Sequence, residues 1–407
     1  MFLPQPSPDS KEPEVAVNIV DIVFIALILL SVGYYLLSTH YSIVFFTEKK
    51  KQFPQSSAAQ LPPVSIIKPI TRAEVGHIIN FISFLKQDYP FFEVVFSFSK
   101  GDDIVIPALE NLKDRFPTRN IRWVLTDENW GPNYKVGNLQ AAIREAKYDI
   151  VIMSDSDMSV RPDYLRTVVG SLQQDGVGIV TCLYRGVQIC NYPQALHGLT
   201  IQSDFIPNVI MGYKIEGISY AFGATICTSK TILNKLGGLD QIKEYLADDY
   251  QIGQLVHQNG YEVKLSEYLV DHVSAPERFW DYFSHQLRWA ITQRVSRPWG
   301  YLASVITQGV ALSALFMIIK GFSPLAAMLF GSTLTVRLAC FNLLNRSVIR
   351  NTELVRYIWL IPLKDLLNSF IWLLSLFINE VRWKHRKFRV LKGGKMYELE
   401  AGGAPRG

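Results

Sequence analysis

The stretch that most constrains this chain is Ile150-Val151-Ile152-Met153-Ser154-Asp155-Ser156-Asp157. A short apolar run ends in two carboxylates one residue apart. A run that is apolar on both faces reads as a buried parallel strand. Open α/β sheets bind ligands just beyond the carboxyl ends of such strands. Two acidic side chains delivered there suit a hard divalent cation, which needs only one or two carboxylates when phosphate oxygens complete its shell. The pair is read as holding the metal and diphosphate of a sugar nucleotide, with Asp155 on the nucleotide and Asp157 on the metal. A bare D-x-D also occurs in solvated turns, so the flanking elements have to carry the reading.

Those elements alternate. Val64 to Ile67 opens a strand ending at Lys68-Pro69, and His77 to Leu85 has a helical apolar spacing. Phe92 to Phe98 is a second strand, ending at Gly101-Asp102-Asp103. A helix over Ile106 to Phe116, a strand over Ile121 to Leu125 and a helix over Val136 to Ala146 follow. Beyond the D-x-D come a helix (Pro162 to Leu172), strands (Val177 to Leu183, Phe222 to Ile226) and a helix (Lys230 to Leu236) stopped by Gly237-Gly238. A helix over Gln251 to Gln258 and a strand over Tyr261 to Leu265 close the series. Alternation of this kind predicts an α/β domain over 62–275, with a parallel-rich sheet and flanking helices.

Apolar segments bracket that domain. Val17 to Leu37 carries only Asn18 and Asp21 as polar residues, and its length fits the ~20 residues needed to cross a bilayer. It is too long for a signal-peptide core, which predicts an uncleaved anchor over 17–39 after a disordered tail at 1–16. Lys49, Lys50 and Lys51 follow it, so the downstream side is expected to be cytoplasmic. Gln52 to Pro63 reads as a linker. A helix over 279–297 is amphipathic and basic, as suits a helix on a membrane surface. Trp299 to Ile319, Pro324 to Leu344 and Tyr357 to Asn379 are three further apolar runs, making up C-terminal membrane segments over 299–380. Arg337 inside the second is expected to face protein or headgroups. Lys364-Asp365 interrupts the third. Three full crossings there would put the basic stretch at 381–407 outside, against the positive-inside rule; one segment lying in the interface or re-entering would keep that tail cytoplasmic.

Composition agrees with a membrane protein. Hydrophobic residues make up 49% of the chain and its mean hydropathy is +0.13. The net charge of +5 gathers near the apolar runs, which fits an anionic bilayer surface better than nucleic acid. The four cysteines show no C-x-x-C spacing and no cluster with histidine, so neither zinc nor a disulfide is expected.

Four further stretches could carry chemistry. Asp103 could accept a hydrogen bond from a nucleobase or ribose, or belong to a plain Gly-Asp turn capping a helix. Lys135, near a helix start, could meet a phosphate, or be a solvated loop lysine. Asp249 in Ala247-Asp248-Asp249-Tyr250 could act as a general base, since a neighbouring acid raises a carboxyl pKa; capping of the helix is the alternative. In Gln286-Leu287-Arg288-Trp289 a guanidinium can bind a leaving diphosphate and an indole can wall a sugar or acceptor. Snorkelling at an interface is the alternative there.

In order, Asp103, Asp155, Asp249 and Gln286-x-x-Arg-Trp match the D, D, D, Q-x-x-R-W pattern of family-2-like inverting glycosyltransferases. Pro63-Val64-Ser65-Ile66-Ile67-Lys68-Pro69, Asp88-Tyr89-Pro90, Ala146-Lys147-Tyr148-Asp149, Leu246-Ala247-Asp248-Asp249-Tyr250 and Arg288-Trp289 resemble ceramide glucosyltransferase and its bacterial relatives, among them the hopanoid-associated glycosyltransferase. The resemblance runs from about Pro62 to the tail. It implies a GT-A fold, a UDP-sugar donor, a divalent cation (Mg2+ or Mn2+), and inverting transfer to a membrane lipid at the cytosolic face. By the same resemblance Asp103 would bind uridine, and Asp155 the donor, with metal help from Asp157. Asp249 would be the catalytic base, and Gln286, Arg288 and Trp289 would hold the diphosphate and acceptor end. Tyr134 stands where relatives often have Pro before the lysine, and Asp155-Ser156-Asp157 replaces the D-S-G of the animal enzymes. The complete D-x-D favours bacterial relatives, hence a bacterial inner membrane, or a Golgi membrane in a eukaryote. Glucose to ceramide is the expected transfer. N-acetylglucosamine to a hopanoid, glucose to diacylglycerol, a polysaccharide synthase and a non-catalytic scaffold are the rivals.

Overall fold

The computed structural model describes residues 18–48, 61–70, 78–126, 130–276, 278–383 and 386–399. The tail expected at 1–16, Lys49 to Lys51 and most of the 52–63 linker lie outside them.

One sheet organises the chain. Strands β1 (Val64–Pro69), β2 (Phe92–Ser99), β3 (Asn120–Thr126) and β4 (Ile150–Met153) are parallel in the order β3-β2-β1-β4. Helices α2 (Ile78–Leu85), α3 (Ile106–Arg115) and α4 (Tyr134–Glu145) make the crossovers, after α1 (Ile19–Glu48). Every residue of β1 is buried, as a strand covered on both faces requires. The order reverses beside β1, so the crevice between the carboxyl ends of β1 and β4 is where a ligand fits.

Beyond β4 the sheet becomes mixed. β5 (Met158–Ser159), α5 (Tyr164–Leu172), β6 (Val177–Gly186), α6 (Tyr192–Thr200), α7 (Ile206–Glu216), β7 (Ile226–Ser229), α8 (Lys230–Lys235), α9 (Asp248–Gln258) and β8 (Glu262–His272) follow. β7 lies antiparallel between β4 and β6, and the full order is β3-β2-β1-β4-β7-β6-β8-β5. The strand expected over Phe222 to Ile226 starts only at Ile226. Phe222 to Thr225 is instead a tight turn closed by a Thr225 N–H to Phe222 carbonyl bond of 3.0 Å. An apolar run marks burial, and here the buried residues sit in a turn rather than a ladder.

The C-terminal part is α10 (Phe279–Ser296), α11 (Pro298–Ala303), α12 (Gly309–Ile319), α13 (Pro324–Leu344), α14 (Thr352–Val355), α15 (Ile361–Ser375), β9 (Glu380–Trp383), β10 (Arg386–Val390) and β11 (Met396–Leu399). Among the described residues, three helices are long and apolar enough to cross a membrane: Ile19–Glu48, Pro324–Ile349 and Ile358–Ser375. The run expected over Trp299 to Ile319 is not one straight helix but two segments bent by 61°. α12 abuts α1 at its first residue, Gly309. A Cβ there would stand 2.6 Å from the Ser31 Cβ, so only glycine lets the two backbones approach.

Contacts set the order in space. Lys320, after α12, pairs with Asp21 at 3.0 Å, at the end of α1 remote from the large sheet. Ile349, just after α13, accepts a hydrogen bond from Arg185 of β6. α12 and α13 therefore run away from the sheet and back. Lys364 and Asp365 do not interrupt α15, which is continuous. The 381–407 stretch is not a simple tail over its described part. β9 to β11 form an antiparallel sheet that bonds to the α/β domain, with the Leu246 N–H donating to the Gly394 carbonyl at 3.0 Å and the Met396 N–H to the Glu244 carbonyl at 2.7 Å. Its basic residues alternate with Val381, Phe388 and Val390, which are buried against α10.

Candidate active site

The D-x-D turn is held from below. β1 delivers Lys68, wholly buried, whose ammonium donates to Ser154 Oγ at 3.2 Å and to the Asp155 carbonyl. From across the sheet, the Asp155 N–H donates to the Gly223 carbonyl at 3.0 Å. The Gly223 N–H in turn donates to Asp249 Oδ2 at 2.9 Å, and the Tyr250 N–H to Asp249 Oδ1 at 2.8 Å. Gly223 thus joins the two acids expected to do the chemistry. Its backbone dihedral is ordinary; space is what demands glycine. A Cβ would lie 2.4 Å from Asp155 Oδ2 and 3.2 Å from Lys135 Nζ.

Lys135, on the first turn of α4, reaches Asp155 Oδ1 at 2.7 Å and Asp248 Oδ2 at 3.1 Å. It is no solvated loop lysine. Burial alone would lower its pKa, but Asp155, Asp248 and Asp249 outweigh burial and hold the ammonium well above its usual value. Asp249 shifts the other way. Burial first, then Asp248, push its carboxyl up from 3.8 to about 6, against the pull of Lys135. A carboxylate tuned there suits a general base near neutral pH. Asp157 faces His272, with 3.2 Å between Oδ2 and Nε2.

α10 supplies the opposite wall. Gln286 is buried, and its Nε2 has no hydrogen-bond partner among the described residues. Arg288 is held below its usual pKa by burial, against Asp249, Asp155 and Asp248, and its guanidinium sits 5.8 Å from the Trp383 ring of β9. Trp289 packs on His285 at 4.5 Å between ring centroids and edge-on to Tyr184 at 6.4 Å. Burial, with Arg288 and the neighbouring histidines, keeps His285 well below its usual pKa and so neutral.

One cavity of about 1250 Å³ gathers these groups. Lys135, Asp155, Asp157, Asp249, Gln286, Arg288 and Trp289 all line it. Asp103 opens a short 3-10 helix after β2; its side chain lies outside what is described, and its neighbour Asp102 lines the cavity. Sequence reading missed Gly223, Lys68 and the C-terminal sheet, from which Trp383, Arg386 and Phe388 line the same cavity. The lone glycine within the apolar run before Thr225 was the available signal for Gly223; Lys68 and the sheet act through contacts distant in sequence.

The family model for glycosyl transferase family 21 matches residues 23–396. The chain belongs to that family. It is a glycosyltransferase with the expected GT-A type of architecture, a parallel-rich sheet with flanking helices and apolar helices on both sides. Ceramide glucosyltransferase 1 of Caenorhabditis elegans is 25% identical over 83% of this chain and 73% of its own. Ceramide glucosyltransferase of Gibberella zeae is 33% identical over 29% of this chain and 24% of its own. Among solved structures, a mannosyltransferase from Pyrobaculum calidifontis is similar at 16% identity and a TM-score of 0.46, over 85% of this chain and 99% of its own.

Proposed function

We propose that this family 21 enzyme transfers glucose from UDP-glucose to the hydroxyl of ceramide or a similar lipid, with inversion. The observation that carries the reading is the shared cavity. It joins a pKa-tuned Asp249, the D-x-D turn and Arg288 at the carboxyl ends of β1 and β4, then continues between apolar helices as far as Tyr34, Gln308 and Trp372. Asp249 takes the proton from the lipid hydroxyl as that oxygen attacks the anomeric carbon. Attack from the face opposite the diphosphate gives the β-linkage in one displacement. Arg288 and Lys135 meet the negative charge that develops on the departing UDP, and Asp103 binds uridine beside Asp102. Gln286 and Trp289 position the sugar and the acceptor end.

Asp155 and Asp157 fit a divalent cation. They are two short carboxylates on one turn, each about one third exposed toward the cavity, so oxygen donors are at hand. Among the described residues no third acid, histidine or cysteine completes a cage, so diphosphate oxygens would complete the shell. When bound, the cation supplies charge neutralisation to the leaving group.

For the membrane, the reading is that α1, the bent pair α11–α12, and α13 cross, while α15 stays at the interface. The catalytic domain and C-terminal sheet then share the cytosolic side. Asp249→Asn is the direct test: it should abolish lipid glycosylation, read by mass spectrometry, while UDP binding in calorimetry persists. Normal turnover by this variant removes Asp249 as the base.

A further inference from the structure

α6 and α7 form one helix interrupted by a π-turn over Ile201–Phe205. Its cause is Pro207. In a regular helix the Ser203 carbonyl would receive the N–H of residue 207, which proline lacks, and the ring would clash with that carbonyl. The π-turn relieves the clash, and the freed Ser203 carbonyl accepts from Arg337 Nη1 at 2.9 Å. This is why Arg337 sits in the apolar α13. Around it lies a four-charge cluster. Arg337 meets Asp365 at 3.0 Å and also Asp204, while Lys364 meets Asp204 at 2.6 Å and Asp365 at 2.5 Å.

Three members are largely buried: the side chains of Lys364, Arg337 and Asp365 are 0%, 6% and 9% exposed, and Asp365 only borders the cavity. Asp204 is 24% exposed and lines the catalytic cavity, together with Asn368. Phe205 next to it packs on Phe222 at 5.1 Å, one residue from Gly223 and so from Asp249. A cluster that only fastened helices together would gain nothing from exposing its Asp204 carboxylate so much more than Asp365 to the substrate space.

The lone pairs say what that opening accepts. Asp204 Oδ2 takes Lys364 and Asn368 Nδ2, whereas Oδ1 takes Arg337 alone. Both hydrogens of Asn368 Nδ2 are used, on Thr200 and Asp204, while its Oδ1 has one bond, from Tyr282. Each carboxylate or amide oxygen can accept twice, so what remains on both is acceptor capacity. Two cations keep Asp204 ionised, and a carboxylate can only accept. Beside this polar end, Met211 and Ile215 of α7, Ile306, and Ile371 and Trp372 of α15 line an apolar slot, with Ile215 exposed at its rim.

We propose that Asp204 and Asn368 form the headgroup subsite for the acceptor. The subsite selects a lipid that carries a hydrogen-bond donor besides the reacting hydroxyl, such as the N–H of an N-acyl lipid, with its hydrocarbon in the α7–α15 slot. This rests on the lipid-acceptor reading above and names the chemistry that the acceptor needs. An ester lipid offers no such donor and leaves the second lone pair of Asp204 Oδ1, beyond the one that Arg337 uses, desolvated and unmet.

The test uses the full chain in nanodiscs, with ceramide and 1,2-diacylglycerol as paired acceptors. The wild type should favour ceramide in kcat/KM by about tenfold or more, the worth of one charge-assisted hydrogen bond. Asp204→Asn and Asn368→Leu should reduce that preference to about threefold or less through the acceptor KM. The donor KM and the slow hydrolysis of UDP-sugar should not move. Asn368→Leu leaves all four charges of the cluster in place and so keeps the test valid if Asp204→Asn does not fold. A bound brominated ceramide should quench tryptophan fluorescence in the wild type, with a component lost in Trp372→Phe, and less in Asn368→Leu. Quenching without transfer upholds the subsite and sinks the lipid-transfer reading. Transfer with equal use of both lipids, or a preference unchanged in folded Asn368→Leu, overturns the subsite alone.

Discussion

Replacing Asp248 by Asn isolates what tunes the base. The Asp249 carboxyl is raised from 3.8 to about 6, with burial the first cause and the Asp248 charge the second. That rise of about two pH units corresponds to about 3 kcal/mol. Asn keeps the shape of Asp248 and removes its charge, while burial stays. The variant therefore lowers the Asp249 pKa, while burial, the larger cause, remains. The sign follows from the chemistry. Asp249 must be ionised to take a proton, so activity falls as pH drops through its pKa. A lower pKa moves that acid limb to lower pH, and the weaker base lowers the plateau rate. Lys135→Met should do the reverse, because the Lys135 charge pulls the Asp249 pKa down. The assay is kcat/KM for the acceptor at saturating donor between about pH 4.5 and 8, with melting temperature recorded at each pH. Limbs that stay put, or that move in the same direction in both variants, would refute the electrostatic account.

Gly223→Ala should reduce turnover by about a hundredfold or more with a stability loss of only about 1–3 kcal/mol, since its Cβ would meet the Asp155 carboxylate at 2.4 Å; near-normal kcat would show that the turn has slack. Arg337→Met strands Asp204 and Asp365 beside Lys364, and should cost about 3–5 kcal/mol, read as a lowered melting temperature. In a Cys190→Ser background, cysteines placed at Lys113 and Lys392 should label from the same membrane face and one at Phe322 from the other; Lys392 labelling with Phe322 would overturn the proposed crossings.

Local pattern carried much of the architecture. β1, β2, β3 and β4 lie where the apolar runs put them, because a strand buried on both faces needs such a run whatever surrounds it. The D-x-D turn, Lys135, Asp249 and Gln286-Leu287-Arg288-Trp289 were legible for a related reason. Each sits at the end of a strand or on a helix whose spacing decides which side chains share a face, and all but Leu287, which packs on the C-terminal sheet, line one cavity. Arg337 inside an apolar helix was legible as a charge that had to face protein or headgroups, since an unpaired ion there is too costly, and the structure puts it on protein.

What the chain order could not carry is which distant residues meet. Asp204 meets Arg337 and Lys364 across 133 and 160 residues, so Lys364-Asp365, which breaks an apolar run on paper, lies within an unbroken helix. Gly223 reads as part of a strand until Asp155 and Asp249 are seen on either side of it. The basic C-terminal stretch reads as a tail until Val381, Phe388 and Val390 are found buried against α10. Hydropathy periods are properties of neighbours in sequence and therefore determine strands and helices. Charge pairing, close approach and the pKa of Asp249 are set by neighbours in space, and only the folded packing brings those together.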